Sequence, residues 1–212
     1  MTPIFVSFYS DSEKTKSYYR DCYLKLSKQL KIHDQSFIFK ELPNNSYKHN
    51  CLSKPSFILE ALTTLRQPII WIDIDTVFCH PFLHFENCFE DIGFITANKN
   101  IYDPYSFLIY CNFTANAIAF LKEWKNKCKY AIDSGEADLD HDILRYEVLY
   151  KYNKPLNIKM IVEDNEDFIN GKFTALCQSP IEFKQELFNE IGIKNETRNN
   201  PFYPENIKIV SV

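Results

Sequence analysis

The chain has 212 residues, 45% of them hydrophobic and 25% charged, which is enough for one substantial domain with a proper core, too little for two ordinary ones, and too apolar for disorder. A net charge of -4 gives no electrostatic footprint for duplex nucleic acid, which needs a clustered Lys/Arg surface, so no nucleic-acid partner is expected. Seven cysteines with no C-x-x-C spacing argue against a zinc ribbon or a disulfide scaffold and predict a cytoplasmic protein, and no run reaches the roughly 20 apolar residues of a membrane span.

Residues 4–9 form an apolar run that ends at Ser10 and Asp11, the pattern of a buried strand whose end meets a polar site. Tyr19, Tyr23, Leu26 and Leu30 then recur at helical spacing between charges and predict an amphipathic helix over 16–30. A second strand over 36–42 closes a β-α-β unit. The next helix is predicted over 54–65, with Ser53 as N-cap and Pro55 at an early position where its missing N–H costs nothing. Residues 69–74 are almost continuously apolar behind Pro68, as a central strand covered on both faces must be. Strands follow at 92–96 and 107–111 and helices at 114–128 and 141–150. The last third carries a strand at Met160 and Val162, a helix over 181–191 and a terminal strand over 207–210. Strands alternating with helices predict a single α/β domain over 1–212 with a mainly parallel central sheet flanked by helices.

Glycine occurs only at 93, 135, 171 and 192, so neither a dinucleotide fingerprint nor a P-loop can be assembled. A bound phosphate must therefore be held by side chains or by a metal, because the close backbone approach that glycine permits is missing. The candidates stand in Ile72-Asp73-Ile74-Asp75-Thr76, at the end of the predicted central strand, where period-two geometry would put both carboxylates on one face. Two like charges so close beside apolar residues repel and lose hydration unless one is protonated or a cation lies between them. Mn²⁺ or Mg²⁺, hard ions that take oxygen ligands, would resolve the conflict, with Asp73 and Asp75 as ligands.

This setting resembles the nucleotide-diphospho-sugar glycosyltransferases of the GT-A fold, a Rossmann-like fold whose D-x-D motif ends a central strand in hydrophobic surroundings. Lys54-Pro55, a helix and then Trp71-Ile72-Asp73-Ile74-Asp75 are similar to the family's order of a Lys-Pro helix start, a short gap and the D-x-D. The segment 114–124, with Ala115, Phe120, Leu121 and Trp124, looks like the helix after its sugar-binding loop, and Asp140-His141-Asp142-Ile143-Leu144 resembles its later Asp-Gln-x-x-Leu segment.

The resemblance implies transfer of a hexose from a UDP- or GDP-linked donor to a hydroxyl of a glycan or other acceptor. It implies a nucleotide-sugar-binding half over 1–112 and an acceptor-side half over 113–212. Asp73 would touch the ribose or the metal, and Asp75 would ligate the metal beneath the two phosphates, with Ile74 between them. Tyr9 and Ser10 would meet the nucleotide, and Lys54 the base-proximal side or a phosphate. Tyr105 and Ser106 fall where the sugar-contacting loop lies, and Asp140 where a catalytic carboxylate is placed. The chain departs from the family at Phe107, where glycine is frequent, and at Gln178, in roughly the region of a late metal-ligating histidine. Asp73-Ile74-Asp75-Thr76-Val77 also satisfies the nucleophile motif of haloacid-dehalogenase-like phosphatases, although that motif normally ends the first strand of its fold. A non-catalytic nucleotide-sugar-binding protein is the remaining alternative.

Overall fold

The computed structural model describes residues 2–13, 15–78, 85–97, 103–136, 138–163, 175–177 and 207–211. Its centre is a seven-stranded sheet whose strands lie in the order 37–41, 4–9, 69–72, 108–111, 92–97, 156–163 and 207–211. The apolar runs of the sequence become β1 (Ile4–Tyr9) and β3 (Ile69–Ile72), buried on both faces and hydrogen-bonded in parallel with Phe5 opposite Ile70. β2 (Phe37–Glu41) lies on the other side of β1, also parallel. Beyond β3 come β6 (Leu108–Cys111), β5 (Ile92–Ala97), β7 (Leu156–Glu163) and β9 (Ile207–Ser211). β6 is antiparallel to both its neighbours, and the other pairings are parallel. The reversal has a simple cause: the link from β5 to β6 over 98–107 is shorter than the dozen or so residues of a parallel crossover. A small second sheet, not expected from the sequence, pairs β4 (Thr76–Phe78) with β8 (Ala175–Cys177) antiparallel.

Alternation along the strands divides the core in two. Phe5, Ile70 and Ile72 pack with Leu26 and Leu30 of α1 (Tyr18–Ile32). Val6, Phe8 and Trp71 pack with Leu52, Ile58 and Leu62 of α2 (Tyr47–Leu65) and with Phe120 and Trp124 of α3 (Ala115–Ser134). The α/β class and the mainly parallel sheet are as expected. No helix among the described residues is long and apolar enough to cross a membrane.

Several boundaries differ from the sequence reading. α2 begins at Tyr47, with Ser46 as the N-cap whose side chain accepts from the His49 N–H at 3.2 Å, so Ser53 is no cap and Pro55 stands inside the helix. Burial of Leu52, Lys54 and Pro55 against the core outweighs the hydrogen bond that the proline removes. α3 continues past Cys128 to Ser134 and ends at Gly135, whose φ of 72° gives the left-handed cap that a glycine accepts most readily. The helix expected over 141–150 is an α-turn at Asp140–Asp142, a π-helix at Ile143–Val148 and a 3₁₀ turn at Leu149–Lys151. The helix expected over 181–191 lies outside the described residues.

In β5, Gly93 faces the buried Phe85 ring, which stacks on Tyr110 with centroids 5.1 Å apart; a Cβ at Gly93 would overlap that ring. Gly93→Ala is expected to lower stability by about 1–3 kcal/mol through overpacking. In urea melts, Phe85→Leu combined with it should cost less than the sum of the two single changes; strict additivity would show that the ring is not the obstacle.

Candidate active site

β1 has its sequence neighbour β2 on one side and β3 on the other, and at such a switch point a crevice opens beyond the carboxyl ends of the strands. A cleft of about 350 Å³ lies there. It is lined by Tyr9 and Ser10 at the end of β1, Asp73, Ile74 and Asp75 after β3, Lys54 of α2, Ser106 and Asp140. These are all of the residues expected at the site except Tyr105. That residue gives its N–H to Ile95 O at 2.9 Å and packs its ring on Phe107, centroids 5.4 Å apart, partly buried against the core on the α1 side.

The acidic pair is not on a strand. The ladder between β3 and β6 ends at Ile72 opposite Leu108. Asp73 then donates its N–H to Phe107 O (2.8 Å), and the Thr76 N–H returns to Asp73 O (3.0 Å), so Ile74 and Asp75 form a turn. Loss of the ladder partner therefore replaces the expected common strand face by a turn at the cleft. Asp75 is buried there, at 5% exposure.

Lys54 sits at the centre of the site. Its Nζ is 3.0 Å from Asp73 Oδ1 and 2.8 Å from Asp140 Oδ2, donates to Ser106 O at 3.2 Å, and lies 5.6 Å from the centroid of the Trp71 ring. Trp71 Nε1 donates to Asp73 Oδ1 at 2.8 Å. Burial opposes the charge of Lys54, but the carboxylates of Asp140 and Asp73 prevail and raise its pKa above the ordinary value, so it remains an ammonium. Asp73 is itself pushed upward by burial, an effect that Lys54 opposes and that Asp75 and Asp140 reinforce.

Residues that the sequence reading passed over also line the cleft, among them Tyr47, Asn50 and Cys51. With α2 beginning at Tyr47, positions 47, 50, 51 and 54 share one helical face; a helix start placed at Lys54 hid that periodicity. Trp71 lines it from β3 and His141 from the turn after Leu139.

The helix that follows β1 does not offer a phosphate site. Asp11 accepts the N–H groups of Tyr19 and Arg20, each at 3.0 Å, so its carboxylate already takes the place that an anion would occupy at a helix N-terminus. Among the described residues no group of three or more His, Cys, Asp or Glu side chains could hold a metal ion. The fit to a divalent cation therefore rests on Asp75 and Asp73 alone. Those hard donors suit an ion that takes one or two protein carboxylates and completes its shell with phosphate oxygens and water. Gln178 lies outside the described residues.

No protein-family model matches the chain, and no curated protein is significantly similar in sequence. Solved structures do match. A glycosyltransferase involved in the glycosylation of the major capsid of PBCV-1 aligns over 87% of this chain and 98% of its own, with a TM-score of 0.60 and 12% identity. The nucleoside-diphosphate-sugar pyrophosphorylase of Vibrio cholerae RC9 aligns over 87% of this chain and 80% of its own, with a TM-score of 0.48 and 16% identity. The galactosyltransferase LgtC aligns over 70% of each chain, with a TM-score of 0.36 and 11% identity. The first of these likenesses shows that the chain has the glycosyltransferase GT-A type of fold, a mixed and mostly parallel seven-stranded sheet between helices.

Proposed function

We propose that the protein is a metal-dependent glycosyltransferase that moves a hexose from a UDP- or GDP-linked donor to a hydroxyl of a glycan or other acceptor. The observation that carries this reading is the gathering of Asp73, Asp75, Lys54 and Asp140 in one cleft at the carboxyl ends of β1 and β3, in a chain whose fold is that of a glycosyltransferase.

Charge supports the need for a metal. Three carboxylates line the cleft, and the one lysine among its lining residues is already paired with two of them. A diphosphate brought there would meet net repulsion unless a cation came with it. Asp75 and Asp73 would be the protein ligands, with Asp73, held by Lys54 and by Trp71 Nε1, facing the ribose as well. A bound Mn²⁺ or Mg²⁺ supplies neutralisation of the charge that develops on the leaving nucleoside diphosphate.

Tyr9 and Ser10 offer the nucleotide a rigid edge. The Tyr9 hydroxyl donates to Glu41 Oε2 (3.1 Å), its ring stacks on Tyr23 with centroids 5.2 Å apart, and Ser10 Oγ donates to Pro43 O (3.0 Å). Ser106, whose Oγ lies 3.4 Å from Lys54 Nζ at the cleft, would be the sugar-side contact, and Tyr105 would support its loop. Asp140, held by Lys54 at Oδ2, presents the carboxylate that takes the acceptor proton or faces the anomeric carbon. The phosphatase alternative needs an Asp73 oxygen available to attack phosphorus. Oδ1 is within bonding distance of Lys54 and Trp71, and Oδ2 is 3.4 Å from the same ammonium.

With Mn²⁺ present, UDP or GDP at about 100 times its Kd should stabilise the protein by about 2.7 kcal/mol, seen as a thermal shift. Asp75→Ala is expected to abolish that metal-dependent shift and leave the unliganded melting curve nearly unchanged. A shift that survives the substitution would overturn the assignment, and turnover of individual nucleotide sugars identifies the donor. Lys54→Met, which strands Asp140 without its counter-charge, should cost about 3 kcal/mol at neutral pH. Because the folded-state pKa of Lys54 is raised above its ordinary 10.5, its contribution is complete below that pH and declines above it. The stability gap between wild type and Lys54→Met, followed by urea titration, should therefore narrow on the alkaline side.

A further inference from the structure

Arg145 belongs to none of the roles considered so far, yet its guanidinium is committed to two adjacent residues of one segment. Nε and Nη2 both donate to Pro104 O at 3.2 Å, and Nη2 pairs with Asp103 Oδ1 at 2.6 Å. Its side chain is 16% exposed and that of Asp103 is 44% exposed, so the arginine fork is ordered beneath a surface segment.

That segment, 103–107, leads into the cleft and is held residue by residue. Thr96 Oγ1 donates to Asp103 O at 3.0 Å, and the Tyr105 N–H donates to Ile95 O at 2.9 Å. Ser106 O accepts from Lys54 Nζ at 3.2 Å, and Phe107 O accepts the Asp73 N–H at 2.8 Å. The outer end of the segment is thus fixed by Arg145 and β5, and its inner end fixes Lys54 and the start of the acidic turn.

Arg145 stands on the same helical stretch as Asp140, which holds Lys54 directly. In a regular α-helix, residues five apart point about 140° away from each other. Here the stretch is not regular: Asp140 lies in its α-turn and Arg145 in the π-helix at Ile143–Val148, a winding found often at functional sites. The result is a closed ring of contacts that runs from Asp140 to Lys54, Ser106 and Pro104, to Arg145, and back along the helix.

We propose that Arg145 is a positioning residue for sugar transfer, acting through 103–107 on Ser106, Lys54 and the Asp73 backbone. This rests on the transferase reading above. Because Arg145 reaches the reacting groups only through that segment, its loss should disturb alignment more than donor binding. A displacement of that kind is costly to the chemical step even where contacts with substrate survive.

The test compares wild type with Arg145→Gln, Arg145→Lys and Asp103→Asn, each assayed with Mn²⁺ and the donor that wild type turns over. Arg145→Gln is expected to lower kcat about tenfold or more with the donor KM changed less than about twofold. Arg145→Lys should recover only part of the loss, since an ammonium lacks the planar fork that grips Pro104 O and Asp103 together. An unchanged kcat, or a rise in KM at unchanged kcat, would overturn the proposal. Amide exchange supplies an arm that does not depend on turnover. The Asp73 N–H does not touch Arg145, yet it should exchange about fivefold faster in Arg145→Gln, with amides in the middle of α3 unchanged. Unaltered exchange at Asp73 sinks the ring whatever the enzyme does. Faster exchange in a protein that uses no nucleotide sugar would instead sink the transferase reading and leave the ring standing. Should Arg145→Gln fail to fold, Asp103→Asn breaks the same ion pair from the other side and is read by the same two measurements.

Discussion

A lysine ammonium at 5% exposure can exist in a folded protein only with its counter-charges in place, and the site of this protein is arranged around that requirement. Removing an ion from water costs several kcal/mol even after relaxation. Lys54 therefore fixes the relative positions of every group that compensates it: Asp73 after β3, Asp140 at the start of the 140–151 stretch and the carbonyl of Ser106. These groups are far apart in sequence and meet only when the sheet, α2 and the 140–151 stretch are all assembled. Such a cluster adds little net stability, because desolvation consumes most of the attraction, but any arrangement that leaves one member unpaired is heavily disfavoured. Its contribution is geometric definition at the mouth of the cleft.

The same charges govern what the cleft can accept. Folds that bind nucleotides through glycine-rich turns aim a helix N-terminus at the phosphates. Here the helix after β1 is capped by Asp11 from within the chain, and no glycine is available to bring the backbone close. The free energy that a phosphate would gain at that helix is already spent on the fold. Negative charge accumulates instead at the end of β3, where Asp75 lies buried beside Asp73. An acid-rich cleft becomes hospitable to a diphosphate once a divalent ion enters with it, and the metal dependence proposed above rests on that electrostatic argument.

Much of this was legible in the sequence because it rests on hydrophobic burial. β1, with Ser7 as its one polar residue, and β3 are apolar runs since both their faces are covered, and the carboxylates at the end of β3 stood out against that background. The convergence of Lys54 on Asp140 was less visible, since each residue had a bland local explanation and only tertiary structure joins them. The start of α2 was misplaced because Ser53 and Pro55 form a convincing local start signal, while the actual cap, Ser46, lies two turns earlier. Tyr105 was assigned to the site by its place in a loop, yet its backbone pairs with β5 and its ring joins the core. Arg145 carried no signal, because a π-turn has no sequence signature of its own and an arginine in an amphipathic helix is ordinarily a solvated one.

The reversed strand β6 joins these observations to the topology. In a sheet whose other strands run parallel, a parallel β6 would begin at the end opposite the cleft, and the residues before it would approach from the wrong side. Running antiparallel, β6 begins at Leu108 beside Ile72, at the carboxyl end of β3, so the residues immediately before it are delivered to the site. Ser106 then reaches Lys54, and Phe107 O takes the Asp73 N–H that the sheet ladder no longer uses. A side chain as large as that of Phe107 fits because it turns into the α1-side core with Tyr105, centroids 5.4 Å apart, while its backbone faces the acidic turn. The short β5–β6 link that forces the reversal is therefore also what supplies the cleft with its Ser106 wall.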